Sequence, residues 1–81
     1  MNREKICEDI YNNFDNIETL DIIDYLLGVV LGDIEYMNEE DLDNEEVEEL
    51  DLGNNYYITR EDLETITSAR ETIQNIVNYN K

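Results

Sequence analysis

The chain has 81 residues, with 22 Asp and Glu against 5 Lys and Arg, no His, no Pro and one Cys, giving a formal net charge of −17. That length makes one domain, residues 1–81, with a modest core, and an apolar fraction of 41% argues against full disorder despite the self-repulsion. A pI near 4.1 disfavours direct contact with nucleic acid or an anionic membrane, while the lack of His, with one Cys (Cys7) and one Ser (Ser68), excludes nucleophile–imidazole catalysis and a zinc cluster.

The first helix is predicted over 3–14, where Ile6, Ile10 and Phe14 recur every four residues and Cys7 and Tyr11 flank the stripe. Cys7 reads as a small core residue, because no His or cation beside it would lower its pKa. Asn12, Asn13, Asp15 and Asn16 supply a turn. The second helix is predicted over 18–35, apolar around most of its circumference and central to the core. Residues 22–31 are too short to span a bilayer and contain Asp24. Gly28 and Gly32 lie on one face, for close approach of a neighbouring helix or for a kink.

An eight-residue pattern then occurs twice. YMNEEDLD at 36–43 resembles YITREDLE at 57–64, at an offset of 21. Each copy reads as a helix start, with Asn38 and Thr59 as N-caps, Asp41 and Asp62 at the third helical position, and Met37–Leu42 and Ile58–Leu63 as hydrophobic staples. A third helix is expected over 39–50, anchored by Leu42, Val47 and Leu50, with Leu52 as a further candidate, and closed by Gly53 as a left-handed cap. Tyr56 and Tyr57 are expected to be extended and partly exposed. A fourth helix is expected over 60–79, with Leu63, Ile66, Ala69 or Arg70, Ile73, Ile76 and Val77 as its buried stripe. The expected architecture is all-α, a small four-helix bundle with a short acidic third helix.

Function must be argued from charge, since no catalytic motif is present. Paired carboxylates are too abundant here to be specific, and no glycine-rich phosphate loop exists. Asp41, Asp43 and Glu45 imitate the start of an EF-hand loop, but Glu46 replaces its glycine and Leu52 its bidentate Glu, so no metal site is expected. No cofactor and no enzymatic activity are expected.

The stretch 39–51, EEDLDNEEVEELD, holds nine acids and no base: Glu39, Glu40, Asp41, Asp43, Glu45, Glu46, Glu48, Glu49 and Asp51. A plain solvated face is the bland interpretation. Against it, an exposed helix gains from Glu–Lys pairs, and this one has none; Glu45 and Glu49 repel at four-residue spacing. Thirteen helical residues span about 20 Å, so the charges would fall about every 2 Å, close to the ~1.7 Å of duplex DNA. Such a surface suits a basic nucleic-acid-binding protein, with Tyr36, Tyr56 and Tyr57 as flanking anchors. The nine acids and three tyrosines form the candidate partner-binding site.

On its size, charge and EEDLDNEEVEELD run, the chain resembles small acidic phage inhibitors, the DNA-mimic anti-CRISPR and anti-restriction proteins. That resemblance implies occlusion of the basic DNA-binding site of a CRISPR effector or other defence nuclease, in the cytoplasm of a host bacterium, by a monomer or weak dimer. Two alternatives stand beside it. ETLDIIDYLL at 18–27 and ITREDLETITS at 58–68 resemble segments of acyl carrier proteins, with Thr19 where that family carries its attachment Ser. Tyr56-Tyr57 ahead of the last helix resembles the immunity proteins of toxin nucleases, which are also small, acidic and helical.

Overall fold

The computed structural model describes residues 1–80. Over these the chain forms four helices and one two-stranded hairpin, in the order α1 (Arg3–Asn13), α2 (Asn16–Met37), α3 (Glu39–Leu42), β1 (Glu49–Gly53), β2 (Tyr56–Thr59) and α4 (Arg60–Tyr79). The expected all-α bundle is therefore corrected to a mostly helical fold with a β-hairpin, and the third helix is a single turn that stops at Leu42.

Local chemistry sets most of the ends. Asn2 caps α1 by accepting from the Lys5 amide at 3.1 Å. Asp15 and Glu18 close a reciprocal capping box at the start of α2: Asp15 accepts from the Glu18 amide at 2.7 Å, and Glu18 accepts from the Asp15 amide at 3.0 Å. This box starts the helix two residues before the predicted boundary. α2 runs without a break through Gly32. Thr59 caps α4 as expected, accepting from the Asp62 amide at 3.1 Å.

The hairpin forms because 49–53 alternates with period two, a strand signature. Leu50 is wholly buried while Glu49 and Asp51 are exposed. β1 pairs antiparallel with β2, Leu50 opposite Ile58 and Asp51 opposite Tyr57, with a bulge between Asp51 and Gly53. Gly53, Asn54 and Asn55 all have positive φ, at 89°, 54° and 65°. Gly and Asn tolerate that region best, and tight hairpin turns demand it. Gly53 thus shapes a strand turn instead of capping a helix.

The core is Leu31 and Ile34 of α2, Leu50 of β1 and Leu63 of α4, with Leu42, Val47, Ile58 and Ile66 packed against it. Arg70 ties α4 to α2 through a 2.9 Å ion pair with Asp24. Its guanidinium lies over Gly28, where a Cβ would stand 2.6 Å from Nη2. The neighbour that Gly28 accommodates is therefore an arginine head group. On α4 the half-buried residue of the Ala69–Arg70 pair is Arg70; Ile73 is also half-buried, whereas Ile76 is exposed.

α1 departs furthest from expectation. None of its residues is buried, and Ile6, Tyr11 and Cys7 are exposed, as is Phe14 just beyond it. Cys7 is corrected from core to surface. On α2 the apolar residues Ile23, Leu26, Val29 and Val30 are exposed as well. The molecule is a flat plate of 44 × 32 × 17 Å with a Cα radius of gyration of 15.2 Å, against about 12 Å for a compact chain of this length. Among the described residues no helix is long and apolar enough to cross a membrane.

Candidate functional site: an acidic loop strapped by one arginine

The nine acids of 39–51 are all exposed, but they do not form one rod. Glu39, Glu40 and Asp41 occupy α3, Asp43 caps its C-terminal end, Glu45, Glu46 and Glu48 lie in the connection to β1, and Glu49 and Asp51 are on β1. The evenly spaced helical ladder of charge is thus replaced by a turn, a loop and a strand, and the match to the phosphate spacing of duplex DNA goes with it.

Two polar residues dictate this geometry. Asn38 stands between α2 and α3 and is 2% exposed. Its Oδ1 accepts from the Asp51 amide at 2.9 Å, and its Nδ2 donates to the Asp51 carbonyl at 2.9 Å and the Ile34 carbonyl at 2.8 Å. The side-chain amide thus acts like a fragment of neighbouring strand for β1. It makes no capping bond to α3; only its backbone carbonyl opens that turn, accepting from the Leu42 amide at 2.8 Å.

Arg60, the first residue of α4, is the second. Its guanidinium donates to four backbone carbonyls: Nε to Val47 at 3.1 Å, Nη1 to Leu42 at 3.2 Å, and Nη2 to Asp41 at 2.9 Å and Asn44 at 3.0 Å. The Arg60 backbone amide adds a bond to the Glu48 carbonyl at 2.8 Å. A planar fork with five donors suits this task, because four carbonyls of α3 and the loop after it converge on it, of which those of Asp41 and Asn44 also accept from backbone amides. Leu42, Val47 and Leu50 complete the clamp from the core side, so three of the predicted anchors hold the segment, though as a loop and strand, while Leu52 is exposed.

The consequence is electrostatic. Arg60 spends its side-chain donors on carbonyl oxygens and leaves the carboxylates alone. Among the described residues none of the nine acids is in an ion pair, and none of their carboxylates makes a hydrogen bond. All nine face solvent from a backbone fixed at Asn38, Leu50 and Arg60.

The tyrosines divide. Tyr36, 76% exposed, walls an open cleft of about 660 Å³ that it shares with Gly32, Glu35, Glu39, Leu42 and Asp43. Tyr36 also borders a second cleft of about 280 Å³, lined further by Met37, Asn38, Glu39, Glu40 and Asp41. An aromatic face flanked by carboxylates is suited to a guanidinium or ammonium group. Tyr57 stands opposite Asp51 and shares the outer face of the hairpin with Asp51 and Glu49, since directly paired residues point the same way. Tyr56, opposite Gly53 at the turn, alternates to the other face of β2, so the two adjacent tyrosines do not make one patch. Both lie directly ahead of α4.

Sequence reasoning missed Asn38 as a tertiary link, Arg60 as the strap, and Glu35 as part of the cleft. A signal for Arg60 was present: it is the first cation after Lys5, following seventeen acids. Thr19, the carrier-type position, is half-buried and donates its hydroxyl to the Asp15 carbonyl at 2.8 Å. Among the described residues no three His, Cys, Asp or Glu converge to hold a metal ion. Compared with known proteins, the chain matches no family model, no curated protein and no solved structure.

Proposed function

We propose that this chain is a protein-binding inhibitor whose acidic loop and hairpin occupy the basic nucleic-acid-binding surface of a partner, a CRISPR effector or another defence nuclease, and exclude DNA from it. The observation that carries this reading is the use of Arg60. A fold with one cation beside nine acids directs that cation to backbone oxygens, so that the carboxylates stay available to an outside partner. Partner Lys and Arg residues would meet carboxylates in charge-assisted contacts. The Tyr36 clefts would take one or two of the side chains, and Tyr57 would supply apolar contact area next to Glu49 and Asp51. What is imitated is the charge of a backbone, presented on an irregular surface. No catalytic step and no cofactor are part of this reading.

Charge reversal at Glu45, Glu46, Glu48 and Glu49 to Lys tests it. Among the described residues these side chains make no hydrogen bond or ion pair, so the variant is expected to keep its helical circular dichroism. In competition assays against a panel of CRISPR effectors and restriction enzymes, the wild type is expected to displace labelled duplex DNA from its target. The variant is expected to lose at least about tenfold in potency, and the wild-type on-rate to fall steeply with salt. Undiminished competition by a folded variant would refute the proposal.

A further inference from the structure

The face opposite in character to the acidic loop is the one formed by α1 and α2. An apolar groove of about 340 Å³ runs between them, lined by Cys7, Ile10, Tyr11, Phe14, Thr19 and Ile23. It continues along α2 at alternating spacings of four and three: Thr19, Ile23, Leu26 and Val30, of which the last three are 37%, 56% and 50% exposed. That is the spacing of a helix seam that takes a partner helix, and Asp33, next in the same spacing, ends it. The core of this chain lies on a different side of α2, at Leu31 and Ile34.

We propose that this face is covered by the same face of a second copy, in a two-fold symmetric dimer. Area supports a second copy. The chain exposes 6762 Å², whereas a compact chain of its mass exposes about 5,100 Å². The excess, about 1,700 Å² per chain, is roughly twice what each partner gives to a standard interface and falls in the range of permanent homodimers. Charge supports it too. Eleven acids and no base lie between Asp33 and Asp51, whereas α1 balances Arg3 and Lys5 against Glu4, Glu8 and Asp9. This near-neutral helix is a part of a −17 chain that two copies can bring together with far less repulsion than the acidic loop. An isologous contact here covers the seam and the groove of both copies at once.

Sedimentation velocity or light scattering on the full chain, from about 5 to 200 µM, tests this by mass action. The expected species has twice the 9.6 kDa chain mass, and Leu26→Asp with Val30→Asp is expected to return it to the single-chain mass with its helical signal kept. Cys7 gives an independent reading, because it lines the groove. Its alkylation by iodoacetamide is expected to be about fivefold slower in the wild type than in the Leu26→Asp, Val30→Asp variant. A wild type that stays at single-chain mass over the whole range overturns the proposal. So does a Cys7 alkylation rate that is the same in the wild type and in the Leu26→Asp, Val30→Asp variant.

Discussion

The two copies of the repeated pattern, 36–43 and 57–64, begin from nearly the same residues and end in different structures. The second starts a helix of 20 residues and the first a helix of four. In the second, Thr59 has a short side chain that reaches only its own helix, where it accepts from the Asp62 amide. In the first, Asn38 has an amide with both a donor and an acceptor, and β1 offers it the Asp51 N–H and C=O together. A cap satisfies one orphan amide; the bridge to Asp51 satisfies a buried donor and a buried acceptor at once. The tertiary use wins because Leu50 belongs in the core and brings Asp51 with it. The comparison teaches that a capping pattern fixes where a helix turn starts and leaves its length to what the cap residue can reach.

The largest effect is expected from breaking the Asn38 bridge. Asn38→Ala removes three hydrogen bonds and strands the Asp51 amide near the core, a loss of about 3 kcal/mol, which is a large share of the roughly 4–12 kcal/mol usual for a domain of this size. Asn38→Asp sharpens the point, since it keeps shape and acceptor but turns Nδ2 into an oxygen facing the Ile34 and Asp51 carbonyls. Both variants should move the urea midpoint far to the left when followed by circular dichroism. A loss below about 1 kcal/mol in Asn38→Ala would mean that the bridge is incidental.

Next comes the strap. Arg60→Ala removes four side-chain bonds to carbonyls that water can partly replace, so about 2 kcal/mol is expected. Arg60→Lys should recover less than half of it, because an ammonium cannot fork across four oxygens. The decisive signature is local. Amide hydrogen exchange in Arg60→Ala should speed up through 41–48 and change little in the α2–α4 core. Uniform acceleration across the chain would show that Arg60 supports the whole fold and not the loop.

How much of this was legible depended on reach along the chain. α4 could be read residue for residue from 60 to 79, because its cap and its apolar period are local. The capping box of Asp15 and Glu18 is also a local signal, in its Asp-x-x-Glu spacing, but Asp15 and Asn16 read as part of a turn, which puts the predicted N-terminus of α2 two residues late. The hairpin was written in Leu50 and Leu52 alternating toward Gly53-Asn54-Asn55, but the nine acids and the repeated cap pattern pointed to a helix. That conflict is settled by contacts thirteen to nineteen residues apart in sequence, through Asn38 and Arg60, which no local period encodes. The candidate site was legible as composition, since all nine acids are exposed. Its shape was not, and with the shape went the regular phosphate-like spacing. Cys7 and its stripe on α1 misled for a related reason: an apolar period marks a face without saying whether the chain's own core covers it.

The smallest effect, and the one that isolates the comparison, is expected at Thr59. Thr59→Ala deletes the cap bond to the Asp62 amide and should cost about 1 kcal/mol, with α4 fraying at its first turn. Thr59→Asn should cost little, since Asn caps at least as well as Thr. The reciprocal exchange, Asn38→Thr, should behave like Asn38→Ala, because a hydroxyl cannot contact the Asp51 N–H and C=O together while also meeting Ile34. If both exchanges are measured by urea unfolding, the asymmetry between them is the test. An Asn is interchangeable where the demand is one local amide, and irreplaceable where the demand is a strand fragment. Equal costs at the two sites would put Asn38 back among ordinary caps and leave the short third helix without its cause.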